Sequence, residues 1–122
     1  SEIRLRTDLT ILSGDDSLTL PMLSVGAEGV VSVAANLVPQ SIIAMIDAFE
    51  RGDLIEARRL HLSLFPLCRD LLAIAANPIP VKTAMALLGR IDGAMRLPLS
   101  SPDQDGINSL RNALRLAGLL NH

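Results

Sequence analysis

Residues 9–36, LTILSGDDSLTLPMLSVGAEGVVSVAAN, constrain the fold more than any other stretch of the chain. Residues 9–13 form a short apolar run closed by Gly14, and residues 29–35 form a second run rich in the β-branched Val30, Val31 and Val33. Both predict buried strands. Between them Asp15, Asp16 and Ser17 offer side-chain oxygens as N-caps, and Leu18, Leu20, Met22, Leu23 and Val25 supply an apolar face. Gly26 suits the C-terminal stop of a helix of about three turns. A strand, a crossover helix and a strand joined by short connections make a βαβ unit with parallel strands and a right-handed crossover. Two parallel strands cannot form a sheet covered on both faces, so the unit requires further strands beside it. After residue 36 the sequence reads as helix.

Composition sharpens that requirement. Hydrophobic residues are 49% of 122, and with the 8 glycines about 56%, above the roughly 45–50% usual for globular chains counted the same way. The mean hydropathy is +0.39. The excess is aliphatic, since Trp and Tyr are absent. Charges or prolines interrupt every apolar run before the roughly 20 residues a membrane span needs, so the expected partner of this surface is protein. A net charge of −2 excludes a basic field for nucleic acid or an anionic membrane. The single cysteine, Cys68, and an N-terminus without a signal-peptide core predict a cytoplasmic location. Ile3 to Arg6 read as the last turn of a helix whose beginning lies upstream.

Pro39 suits the start of a helix over residues 40–51, with Ile42, Ile43, Met45, Ile46 and Phe49 on one face and Gly52 as its stop. Asp53 is a candidate N-cap for the longest helix, where Leu54, Ala57, Leu60, Leu64, Leu67, Leu71 and Ile74 recur at helical spacing. Pro66 lies in its middle and predicts a kink near Leu62. Residues 77–80, Asn-Pro-Ile-Pro, read as a stiff extended connector to a short helix over residues 81–88. Residues 91–102 read as a loop whose Leu97 and Leu99 cover an adjacent core. Asp103 and Asp105 suit the positive end of a final helix carrying Ile107, Leu110, Ala113, Leu114 and Ala117 as its stripe.

Few residues suggest chemistry. Asp15 and Asp16 are adjacent, a spacing that does not generally project two carboxylates side by side, and capping is the simpler role for both. Gly14 follows the C-terminal end of a strand, where α/β folds bind ligands and where a missing side chain lets the backbone approach one; a plain turn glycine is the alternative. Lys82 is the only lysine, and its place at a helix start suits an ion-pair or packing role better than amine chemistry. Cys68, within an aliphatic helix, reads as a small buried hydrophobe. His61 and His122 have no partner at a metal-ligand spacing, and no phosphate loop, nucleophile elbow or dinucleotide fingerprint is present. No metal site and no cofactor are expected.

Four stretches in order resemble the dihydrodipicolinate synthase family: ILSGDDS at 11–17, GVVSVAAN at 29–36, NPIPVK at 77–82 and MRLPL at 95–99, with ALRLAGLL at 113–120 similar to the family's C-terminus. The resemblance implies an α/β fold, the C-terminal portion of a (β/α)8 TIM barrel with its last two parallel strands, followed by a C-terminal helical extension. The chain itself would be predominantly α-helical. Residues 1–52 would close the barrel and residues 53–122 would form the extension. In the family, pyruvate forms a Schiff base with a lysine and condenses with aspartate semialdehyde on the route to lysine. The resemblance places that lysine, the catalytic tyrosine and the relay threonines upstream of Ser1, so no catalytic residue is expected here and the chain alone is expected to be inactive. Lys82 corresponds to the structural lysine of NPIPVK. The pyruvate-pocket positions that carry over are Gly14 and Val31, the latter often isoleucine in the family.

The expected partners are a missing N-terminal barrel half or further copies of the chain, with a homo-oligomer implied and pyruvate bound only in a completed barrel. A partial gene, a shortened chain and a proteolytic product all fit. The rival reading is a non-catalytic helical module, repacked and self-associating. An enzyme acting through Lys82 is a third, for which no neighbour at a defensible spacing lowers the lysine pKa.

Overall fold

The computed structural model describes residues 1–120; His122 lies outside them. Helix α1 spans Glu2–Arg6 and is exposed throughout. Strand β1 (Leu12–Ser13) pairs in parallel with β2 (Gly29–Val30), Leu12 opposite Gly29 and Ser13 opposite Val30. Between them a 3₁₀ turn, Asp16–Leu18, leads into α2 (Thr19–Ser24). A second 3₁₀ turn, Ala34–Asn36, precedes α3 (Pro39–Glu50), and α4 (Leu54–Ala73), α5 (Ile79–Leu87) and α6 (Gln104–Leu116) follow.

The strands are shorter than the apolar runs predict, for reasons that lie outside local propensity. Glu28 N–H still donates to Ile11 at 2.8 Å, but the next amide back, Ala27, is taken by Met22 at the end of α2, so residues 9 and 10 have no partner to pair with. At the other end Val31 N–H donates to Ser13 at 2.8 Å. Beyond it the amides of Val33 and Ala34 bind the Asp16 carboxylate and that of Ala35 binds Ser32 Oγ, so residues 33–35 cannot continue the strand and turn into 3₁₀ helix instead.

The helix signals translate directly. Asp15, Asp53 and Asp103 each accept a hydrogen bond from the backbone N–H two or three residues on, as N-caps do. Gly52, at φ +78°, closes α3: its N–H donates to Phe49 and that of Asp53 to Ala48, satisfying carbonyls the helix end would otherwise leave open. Pro66 lies inside α4 without interrupting it. Leu62, whose carbonyl the proline cannot bond, is exposed.

Three further expectations are corrected. Residues 77–80 do not form an extended connector: Ile79 N–H closes a turn on the Ala76 carbonyl, and α5 begins at Ile79, so both prolines fall where the first helical turn has amides to spare. In the 91–102 loop, Leu97 is 91% exposed and covers no core among the described residues; the turn from Arg96 to Leu99 points it outward. Ile43, expected on the buried face of α3, is also exposed, while Ile42, Met45 and Ala48 carry the packing.

One apolar cluster runs through both halves of the chain, from Ala34, Leu37, Ile42 and Met45 to Leu67, Leu71, Val81, Leu110 and Leu114. Arg90, just beyond α5, reinforces it by donating to the carbonyls of Leu37 at 3.0 Å and Asn36 at 3.3 Å. Gly106 lets α6 approach: a Cβ there would lie 2.9 Å from Pro102 Cβ and 3.1 Å from Ile74 Cγ2. Alanine in place of a helix-interior glycine gains about 1 kcal/mol of propensity, an upper bound in the first turn, where Gly106 lies. Here the overlap outweighs it, since forced overpacking costs about 1–3 kcal/mol. Gly106→Ala is therefore expected to lower the urea midpoint, whereas a raised midpoint would show that α6 can move aside freely.

Candidate functional site at the strand ends

Gly14 follows β1 directly and Val31 follows β2. Extending the parallel register by one step sets them side by side at the C-terminal edge of the strand pair. Both are exposed; Val31 is 69% accessible although it is a β-branched aliphatic residue. Gly14 does not have a positive φ, and an added Cβ would meet nothing within 4 Å. Neither backbone conformation nor the packing of this chain therefore demands glycine at this position.

Beneath this edge the two aspartates take different roles. Asp15 is the local cap: its Oδ1 accepts from Ser17 N–H at 2.8 Å and Ser17 Oγ at 2.7 Å, while its carbonyl accepts from Ser13 Oγ at 2.8 Å and Thr19 Oγ1 at 3.1 Å. Asp16 was expected to cap as well and does not cap its own turn. It is 4% exposed, and its carboxylate reaches the opposite strand end, accepting from Ser32 Oγ through Oδ1 and from the N–H groups of Val33 and Ala34, both at 2.9 Å, through Oδ2. No local or periodic pattern in the sequence records this contact: Ser32 lies 16 residues away, and only the fold brings it to Asp16.

The other candidates stay apart from this edge. Lys82 donates its Nζ to the carbonyl of Ala94, whose own N–H binds Asp92 Oδ1 at 2.9 Å, so the only lysine holds the turn after α5. Cys68 is buried in α4, and burial, with the negative charges of Asp16 and Asp15 nearby, pushes its thiol up to about 12. Among the described residues no three His, Cys, Asp or Glu side chains are grouped to hold a metal ion. No helix among them is long and apolar enough to cross a membrane. A groove of about 420 Å³ runs between α2, α3 and α4, walled by Leu20, Pro21, Phe49, Leu54, Arg58 and His61. It lies between helices, and neither Gly14 nor Val31 lines it.

Comparison with known proteins identifies the family. The model of the dihydrodipicolinate synthetase family matches residues 2–117. The 4-hydroxy-tetrahydrodipicolinate synthase of Nitratidesulfovibrio vulgaris is 53% identical over 114 residues, covering 93% of this chain and 39% of that protein. The solved structure of the enzyme from Methylacidiphilum fumariolicum superposes with a TM-score of 0.87 at 50% identity, over 89% of this chain and 36% of that one. The dihydrodipicolinate synthase of Acinetobacter baumannii, crystallised in complex with pyruvate, superposes with a TM-score of 0.86 at 34% identity, over 92% of this chain and 38% of that one. The chain thus spans about two fifths of the length of the relatives it matches, and its two parallel strands and helices are those of a C-terminal partial barrel. With the strand pair, its C-terminal edge and all four sequence motifs in place, the chain belongs to the dihydrodipicolinate synthetase family.

Proposed function

We propose that this chain is the C-terminal part of a dihydrodipicolinate synthase-like lyase that condenses pyruvate with aspartate semialdehyde, that it supplies walls of the pyruvate pocket through Gly14 and Val31, and that alone it is inactive. The observation that carries this reading is the strand edge itself. Gly14 leaves open a space that no described residue fills, and Val31 exposes an apolar side chain beside it. In barrels of parallel strands substrates bind at that end. The pyruvate complex of the Acinetobacter baumannii relative supports the choice of ligand.

In this reading residues 1–52 close the barrel and residues 53–122 are its helical extension. The partner is the remainder of the barrel, and the working enzyme is a cytoplasmic homo-oligomer. The exposed Leu9, Leu12 and Leu18 beside the strand pair suit such a partner, because a parallel strand is stable only with both faces covered. Val31 would contribute its main-chain carbonyl and apolar side chain, and Gly14 the space for the substrate. The attacking amine would come from the rest of the barrel, since Lys82 is engaged with the Ala94 carbonyl.

Incubation with pyruvate followed by borohydride, which reduces and traps a lysine imine, tests this by intact mass. The isolated chain is expected to stay unmodified. A chimera carrying this chain in place of the matching segment of the Nitratidesulfovibrio vulgaris relative is expected to gain one adduct, outside the grafted segment. An adduct on Lys82 of the isolated chain would overturn the proposal, as would a folded chimera that traps no pyruvate.

A further inference from the structure

We infer that Asp16 is a positioning residue that holds Gly14 and Val31 in register at the pocket edge, an assignment that rests on the functional reading above. The ladder between the strands ends where Val31 N–H meets the Ser13 carbonyl at 2.8 Å. One residue beyond Val31, Ser32 binds the Asp16 carboxylate, and Asp16 itself is two residues beyond Gly14. The hydrogen bonds from Val33 and Ala34 complete the clasp. Gly14 and Val31 are thus bracketed, by the ladder on one side and the Asp16 clasp on the other.

The chemistry of the clasp is specific. Asp16 is almost fully buried and has no cationic partner within ion-pair distance among the described residues. An unpaired buried carboxylate costs several kcal/mol unless hydrogen bonds to its charged form offset the lost hydration. Here two backbone N–H groups and one hydroxyl do so, and charge-assisted bonds of this kind are short and directional. A neutral apolar side chain could fill the same space, but it would fix neither the Val33–Ala34 backbone nor the Ser32 rotamer, and Ser32 adjoins Val31. Ser32 extends the arrangement by accepting from Ala35 N–H at 2.8 Å, so the whole turn after Val31 hangs on one carboxylate.

The test uses the same chimera, with imine trapping and steady-state kinetics over a range of pyruvate. Asp16→Ala is expected to raise KM for pyruvate about tenfold while kcat changes less, because the groups that support a site's contacts typically cost about 10–100-fold when lost. Asp16→Asn keeps an oxygen for the Val33 and Ala34 amides and is expected to recover part of that loss. Ser32→Ala, which removes one arm only, should fall between wild type and Asp16→Ala. These two milder variants carry the test if Asp16→Ala does not fold. A merely structural role would reduce the active fraction, lowering kcat with KM unchanged, and that result in the variants would overturn the assignment. If the wild-type chimera folds but traps no pyruvate, the functional reading falls and this inference falls with it; wild-type trapping with unshifted KM in the variants removes only the inference.

Discussion

Leu114→Ala is expected to destabilise the chain by about 2–5 kcal/mol, and Leu116→Ala, two residues along the same helix, by no more than about 0.5 kcal/mol. Leu114 is fully buried in the cluster that includes Leu67 and Leu71, whereas Leu116 is 79% exposed. Leucine and alanine are both strong helix formers, so propensity cannot separate the two variants. What separates them is the cavity: at Leu114 the lost side chain leaves a hole bounded by helices that the rest of the cluster holds apart, and at Leu116 water fills the space. Against a total stability of about 5–15 kcal/mol for an ordinary domain, the first change consumes a large share. Urea melts read both, with the slope of each transition unchanged. Equal midpoints for the two variants would show that α6 is not packed through Leu114.

That contrast illustrates what sequence could convey about this fold. The stripe of Ile107, Leu110, Ala113, Leu114 and Ala117 identifies the inner face of α6, because burial on a helix follows its period. Helix starts were equally legible at Asp53 and Asp103, since capping is a local bond between neighbours in sequence. The second strand was not. Val30, Val31 and Val33 promise a strand through residue 35, but Asp16 claims the amides of Val33 and Ala34 from 17 and 18 residues away, and no local pattern records that bond. The same bond separates the roles of Asp15 and Asp16. As neighbours in sequence both look like caps, yet only Asp15 binds its own turn. Gly14 is legible from its place just past a strand end and Val31 only through motif resemblance, and their adjacency follows from the parallel register.

The buried carboxylate also has an electrostatic consequence in the core, which alkaline unfolding would reveal. Stability is expected to fall as pH rises from about 9 to about 12, at up to about 1.4 kcal/mol per pH unit, because of Cys68. Burial of the Cys68 thiol is the main cause of its shift to about 12, and the charges of Asp16 and Asp15 add to it by opposing a thiolate. In the unfolded chain that thiol titrates near its ordinary value of 9.0. Below pH 9 both states hold the proton and the contribution is flat. Between the two values the unfolded chain has released it and the folded chain has not, so each further unit of pH favours unfolding. The background is low, since the chain has no tyrosine and one lysine to titrate in the same range. Cys68→Ala should cost some stability at neutral pH through the small cavity it leaves, yet flatten the decline above pH 9. Urea midpoints for both proteins at several pH values measure this directly. An equally steep alkaline decline in the alanine variant would remove Cys68 as its cause.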